Sequence, residues 1–166
     1  MKFKFEKGNE KTIKEFNTIY NELMQESSCN CNSAQIDEEY MPFIDEGEYK
    51  NKSADVPKRM MYYYTILSLS LKLKSVKHPG FLLLDTPETA GIDDDNLKHD
   101  LELLELALKL SKNEESKELG KFQVLLTTGE EKYPEHYKDK IKLRFSEKNK
   151  DFILKERNTA DNKELS

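Results

Sequence analysis

The sequence lacks several features that would have assigned a class at once. No apolar run approaches the ~20 residues needed to span a bilayer, and no charged-then-apolar leader opens the chain. A cytoplasmic protein without membrane contact is therefore expected. Cysteine is scarce, with only Cys29 and Cys31. Such a Cys-x-Cys pair holds a metal only when further ligands join it, and His78, His99 and His136 are scattered along the chain. Two reduced loop thiols are the simpler expectation. An excess of basic residues is also missing: 27 Lys and Arg against 32 Asp and Glu give a net charge of −5. Broad nucleic-acid binding by this chain alone has no electrostatic basis. No internal repeat is present.

What is there suits one domain with a core, since 166 residues suffice for that. Hydrophobic and charged residues each make up 36%, which implies a modest interior under a solvent-rich surface. Lys11 to Gln25 carries Ile13, Phe16, Ile19, Tyr20 and Leu23 at helical spacing. Ala34 to Ile44 reads as short strands, with Pro42 confined to an edge or an end. Val56 to Val76 is long, apolar nearly all round and free of glycine, with Pro57 in its first turn. That pattern predicts a deeply buried helix. Phe81 to Leu84 follows as a strand without polar alternation, as expected where both faces are covered in a parallel sheet. Asp93 to Lys112 is a helix with Leu97, Leu101, Leu104 and Leu108 on one stripe, and its acids Asp93, Asp94 and Asp95 favour the start. Phe122 to Thr127 is a second apolar strand, so a crossover should lay the two strands side by side. Ile141, Leu143 and Phe145, then Phe152 and Leu154, alternate as a C-terminal edge hairpin. Residues 158–166 read as a disordered tail.

The stretch FLLLDTPETAGIDDDNL, Phe81 to Leu97, raises the functional question. A carboxylate at the C-terminal end of a buried parallel strand lies where α/β sheets bind ligands. Upstream, KSADVPKR places Ser53, Ala54 and Asp55 at a helix N-terminus, with Lys58 and Arg59 nearby, which suits an anion. Each feature also has a plain structural reading. Asp85 would be strand punctuation, Ser53 and Asp55 helix caps, and the acid run a helix start.

The ordered set of loop, long helix, acid-ended strand and second strand resembles the C-terminal half of an SMC/RecF-like ABC-type ATPase head. Such heads belong to the coiled-coil ATPases of DNA repair and anti-phage defence. The resemblance runs from about Phe16 to Arg157 and is strongest over Ser53 to Asp93. It implies a P-loop-NTPase-like α/β lobe over residues 1–157, with mainly parallel central strands and flanking helices, and residues 11–25 as a coiled-coil root. FLLLD would be the Walker B strand, Asp85 the holder of Mg²⁺ through water, and TPETAGID the D-loop with Ala90, Gly91, Ile92 and Asp93. Ser53, Ala54, Asp55, Lys58 and Arg59 would form the signature-loop region that meets ATP held by the opposing head. Implied partners are a Walker A-bearing N-terminal lobe or subunit, a second head, and DNA reached through the assembly.

Three departures qualify this. No G-x-x-x-x-G-K-[ST] occurs, so the triphosphate cradle must come from elsewhere. Thr86 follows Asp85 where family members usually carry the catalytic Glu, which leaves Glu88 as the candidate catalytic residue. Gly129 stands where a switch histidine is usual, and His136 is the nearest substitute. ATP hydrolysis is thus expected only in a completed head, and the chain alone should be inactive. The competing expectation is a non-catalytic α/β scaffold derived from such an ATPase, and an unrelated small α/β domain is the third.

Overall fold

The computed structural model describes residues 10–47, 54–112 and 120–146. The chain divides into two compact units, Met1–Glu135 and His136–Ser166. Along the first unit run α1 (Glu10–Glu26), β1 (Ala34–Ile36), β2 (Pro42–Ile44), α2 (Asp55–Lys72), β3 (Phe81–Asp85), α3 (Asp94–Leu110) and β4 (Gln123–Thr127). β1 and β2 pair antiparallel, and β3 and β4 pair parallel. The architecture is mixed α/β with a small parallel sheet, and Pro42 does open a strand as its missing N–H requires.

The three helices pack on one another. The stripe on α1 buries Phe16, Ile19, Tyr20, Leu23 and Met24. Facing them are Met61, Tyr64 and Leu67 of α2 and Leu97 and Leu101 of α3, all essentially without solvent exposure. Each such side chain contributes about 1.5–3 kcal/mol of burial. α2 ends at Lys72, short of the expected Val76, because Leu73 turns extended (φ −117°, ψ 113°) after its N–H closes on Leu69 O. Polar ties join the helices: Ser68 Oγ donates to Ala107 O at 2.9 Å, and Lys72 pairs with Glu15.

β1 is docked on α1 by two asparagines. Ala34 N–H donates to Asn21 Oδ1 and Ile36 N–H to Asn17 Oδ1, both at 2.9 Å. Side chains four apart on a helix sit about 6 Å apart along its axis, close to the ~6.7 Å between alternate N–H groups of a strand. The match lets a helix satisfy a strand edge.

The loop between α1 and β1 is fixed from inside. Asp100 of α3 is fully buried and accepts from Ser28 N–H at 2.8 Å and Ser28 Oγ at 2.6 Å. Burial pushes the Asp100 carboxyl above its usual range, against the pull of the Ser28 bonds. A raised native pKa means that this group's contribution is fully present below about pH 4 and is lost as pH rises through the native value. Asp100→Asn keeps an acceptor for Ser28 and does not titrate. Its stability relative to wild type should therefore improve between pH 3.5 and pH 7 in urea titrations. Parallel pH curves for the two proteins would contradict this. Cys29 and Cys31 lie on the same loop as buried thiols, neither in a disulfide. A hydrogen bond to Cys29, made by the protonated Cys31 thiol, and burial both raise the Cys31 pKa.

The parallel sheet is covered on one face only by the described residues. Leu82 and Leu84 point inward and are buried, whereas Phe81, Leu83 and Leu125 are 44%, 51% and 46% exposed. The two-sided cover predicted from the unbroken FLLL run is not met. An apolar run encodes two apolar faces, but α2 supplies packing for just one.

The short 3₁₀ turn Glu135–Lys140 spans the boundary in the chain between the two units, and residues 141–146 after it have no regular secondary structure. The His136 and Tyr137 rings meet at 4.7 Å, and Lys140 Nζ lies 4.7 Å over the Tyr137 ring. The first strand of the predicted hairpin is not formed: residues 141–146 carry no strand, and Leu143 is 73% exposed. Phe152, Leu154 and the tail 158–166 lie outside the described residues.

Candidate functional site

The register of β3 on β4 runs from Phe81↔Gln123 to Asp85↔Thr127. In-register parallel strands point paired residues to the same face, so Asp85 and Thr127 share the outward face with Phe81, Leu83 and Leu125. Gly80 sets the entry to this pairing. Its φ is +68°, and a Cβ there would stand 2.7 Å from the Lys121 carbonyl oxygen. Without a side chain, its own carbonyl accepts from Gln123 N–H at 2.7 Å and starts the ladder.

At the other end, the Thr127 hydroxyl donates to Asp85 Oδ1. Thr86 N–H donates to Thr127 O at 2.9 Å, with a longer contact of 3.2 Å to Thr127 Oγ1. Thr86 is left-handed, at φ 42° and ψ 55°, which is costly for a β-branched residue, on the order of 1–3 kcal/mol. Strain of this kind is sustained only where surrounding bonds fix the chain. Here it lies immediately after the candidate metal-binding carboxylate.

The loop from Thr86 to Asp93 is built residue by residue. Pro87–Ala90 form a 3₁₀ turn, and Thr89 Oγ1 donates to Thr86 O at 2.8 Å. Ala90 and Gly91 are exposed, while Ile92 is buried and anchors the loop. Asp93 caps α3, accepting from Asn96 N–H at 3.0 Å, and that bond holds its carboxyl below the usual range. Glu88 is half-buried. Its Oε1 accepts from Gly129 N–H at 2.7 Å and its Oε2 from Thr128 Oγ1 at 3.1 Å. A little further on, Lys132 Nζ lies 3.3 Å from Asp94 Oδ1.

The structure thus brings Asp85 and Glu88 together with Thr127, Thr128 and Gly129. The two threonines were missed in the sequence. The signal for Thr127 was the register, which sets its hydroxyl opposite Asp85 once the strands are known to be parallel. The upstream group is described only in part. Ser53 lies outside the described residues, and Ala54 precedes α2 without a side-chain cap. Asp55 pairs with Lys58 at 2.7 Å, and this contact lowers its pKa, while Arg59 is exposed. No hydrogen bond or ion pair among the described residues joins this group to Asp85 or Glu88. His136, the substitute for a switch histidine, belongs to the second unit.

Among the described residues, no three His, Cys, Asp or Glu side chains gather closely enough to hold a metal ion. Asp85 is an exposed carboxylate with one oxygen turned to Thr127. That arrangement suits a single outer ligand to a hydrated Mg²⁺ rather than a complete protein cage. Also among the described residues, no helix is long and apolar enough to cross a membrane. Comparison of the chain with protein-family models, curated proteins and solved structures finds no match.

Proposed function

We propose that the chain is the C-terminal half of an SMC-like ATPase head, acting in ATP-dependent head association and completed by a Walker A-bearing segment or partner. The observation that carries this reading is Asp85 at the C-terminal end of β3, in register with parallel β4, on an apolar sheet face that no described residue covers. A lobe completed by another would have such a face, because helices of the completing lobe would supply its cover. In this reading the fold is P-loop-NTPase-like, Asp85 serves Mg²⁺, and Ala90 to Asp93 present the D-loop. Ser53 to Arg59 approach the nucleotide of the opposing head. When bound, Mg²⁺ would supply charge neutralisation between the phosphates. The chain's own share is to orient one carboxylate and to hold the loop beside it.

A second reading is a non-catalytic scaffold derived from such a head. The engagement of both Glu88 oxygens by the turn after β4 favours it, since Thr86 leaves no other carboxylate at that position. Calorimetry separates the two. The chain alone should bind ATP no better than millimolar, about 4 kcal/mol, because a phosphate cradle is missing from it. Adding the Walker A-bearing lobe should bring micromolar, Mg²⁺-dependent affinity that exceeds the affinity of that lobe alone. Micromolar binding by the isolated chain, or no gain on mixing, would refute the half-head.

A further inference from the structure

We propose that Glu88 is a positioning residue whose carboxylate fastens the turn after β4 to the loop after β3. The two loops leave adjacent strands and carry separate parts of the candidate site. Nothing in a two-stranded ladder fixes them beyond its last bond, from Thr86 N–H to Thr127 O. Glu88 extends the connection by two bonds, one to a backbone N–H and one to a hydroxyl. Hydrogen bonds to an ionised acceptor are roughly twice as strong as neutral ones.

Gly129 makes the approach close. A Cβ at that position would stand 3.4 Å from Glu88 Oε1 and 3.2 Å from Lys132 Cδ. A side chain would crowd the Lys132 stem and stand in contact with the Glu88 carboxylate. Lys132 in turn reaches Asp94 at the start of α3. Three successive links, Thr127 to Asp85, Thr128 and Gly129 to Glu88, and Lys132 to Asp94, tie one loop to the other. Glu88 is the middle link and supplies two of the bonds. Its oxygens are spent on holding the loops in place, which gives a physical reason for a glutamate two positions beyond the usual place of the base. The fastening itself is independent of the ATPase reading. Its meaning for hydrolysis rests on that reading.

Residue-resolved amide exchange on the full chain tests the fastening directly. In Glu88→Ala, Gly129 N–H should exchange about 10- to 100-fold faster, while core amides such as those of Met61 and Leu101 keep their wild-type rates. Glu88→Gln should hold Gly129 within about threefold of wild type, because its carbonyl can accept from Gly129 and its amide can donate to Thr128 Oγ1. An unchanged Gly129 rate in Glu88→Ala overturns the proposal. So does acceleration of all amides together, which would mark a general structural role, and so does a Glu88→Gln protein as fast as Glu88→Ala. In the completed head, Glu88→Gln should keep hydrolysis within about tenfold, because geometry survives. A loss of about 10²–10⁴-fold would instead make Glu88 the general base and overturn the positioning role.

Discussion

Replacing Asp85 with Asn should abolish Mg²⁺- and ATP-dependent association of the completed head while leaving the chain's own stability within about 0.5 kcal/mol of wild type. The side chain is exposed, and an Asn carbonyl still accepts from the Thr127 hydroxyl. Only the negative charge is lost, and charge is what a hydrated Mg²⁺ requires. A second variant tests the arrangement between heads. Ser53→Arg should leave nucleotide binding by one head intact but block closure, because a cation would fill the anion position. In the proposed arrangement, a mixed pair of one Asp85→Asn head and one Ser53→Arg head would carry both lesions on one composite site. The other site would keep both wild-type groups, so partial activity should return. Association of the Asp85→Asn protein at the wild-type level, followed by light scattering, would remove Asp85 from the site.

Gly80→Ala should be the most damaging single-methyl change in the parallel sheet. The residue sits at φ +68°, and the added Cβ would press on the Lys121 carbonyl at 2.7 Å. Backbone cannot move aside as a flexible side chain can. Left-handed strain alone costs an alanine about 1–2 kcal/mol, and relief of the clash must break the Gln123 N–H bond to Gly80 O. A total loss of about 3 kcal/mol or more is expected from urea unfolding. Gly91→Ala is the control, since it shares a positive φ but would meet nothing within 4 Å. Equal losses in the two variants would show that the close approach of the strands does not matter.

Much of the fold was legible because its signals are local. The α1 stripe, the acids before α3 and the two apolar runs gave three helices and two strands within a few residues of their observed ends, α2's early stop aside. The strands' adjacency followed from the helix between them. What was not legible depends on partners distant in sequence. The FLLL run could not tell which of its faces would find cover, and Leu143 and Phe145 alternate without forming a strand. At the candidate site, Asp85 stood out as an acid ending an apolar strand. The donors that hold Glu88 come from 40 and 41 residues further on, and no local pattern pairs them with it. Asp100 was hidden for the same reason, since a lone acid on a helix reads as exposed until Ser28 is seen to face it.

The most direct test of the half-head is the mass of the complex formed with a Walker A-bearing lobe, read by light scattering with and without Mg²⁺ and ATP. The account predicts a larger species with nucleotide, containing two copies of this chain and two of its partner, that is absent without Mg²⁺ and absent for Asp85→Asn. A mass that does not respond to nucleotide would contradict it.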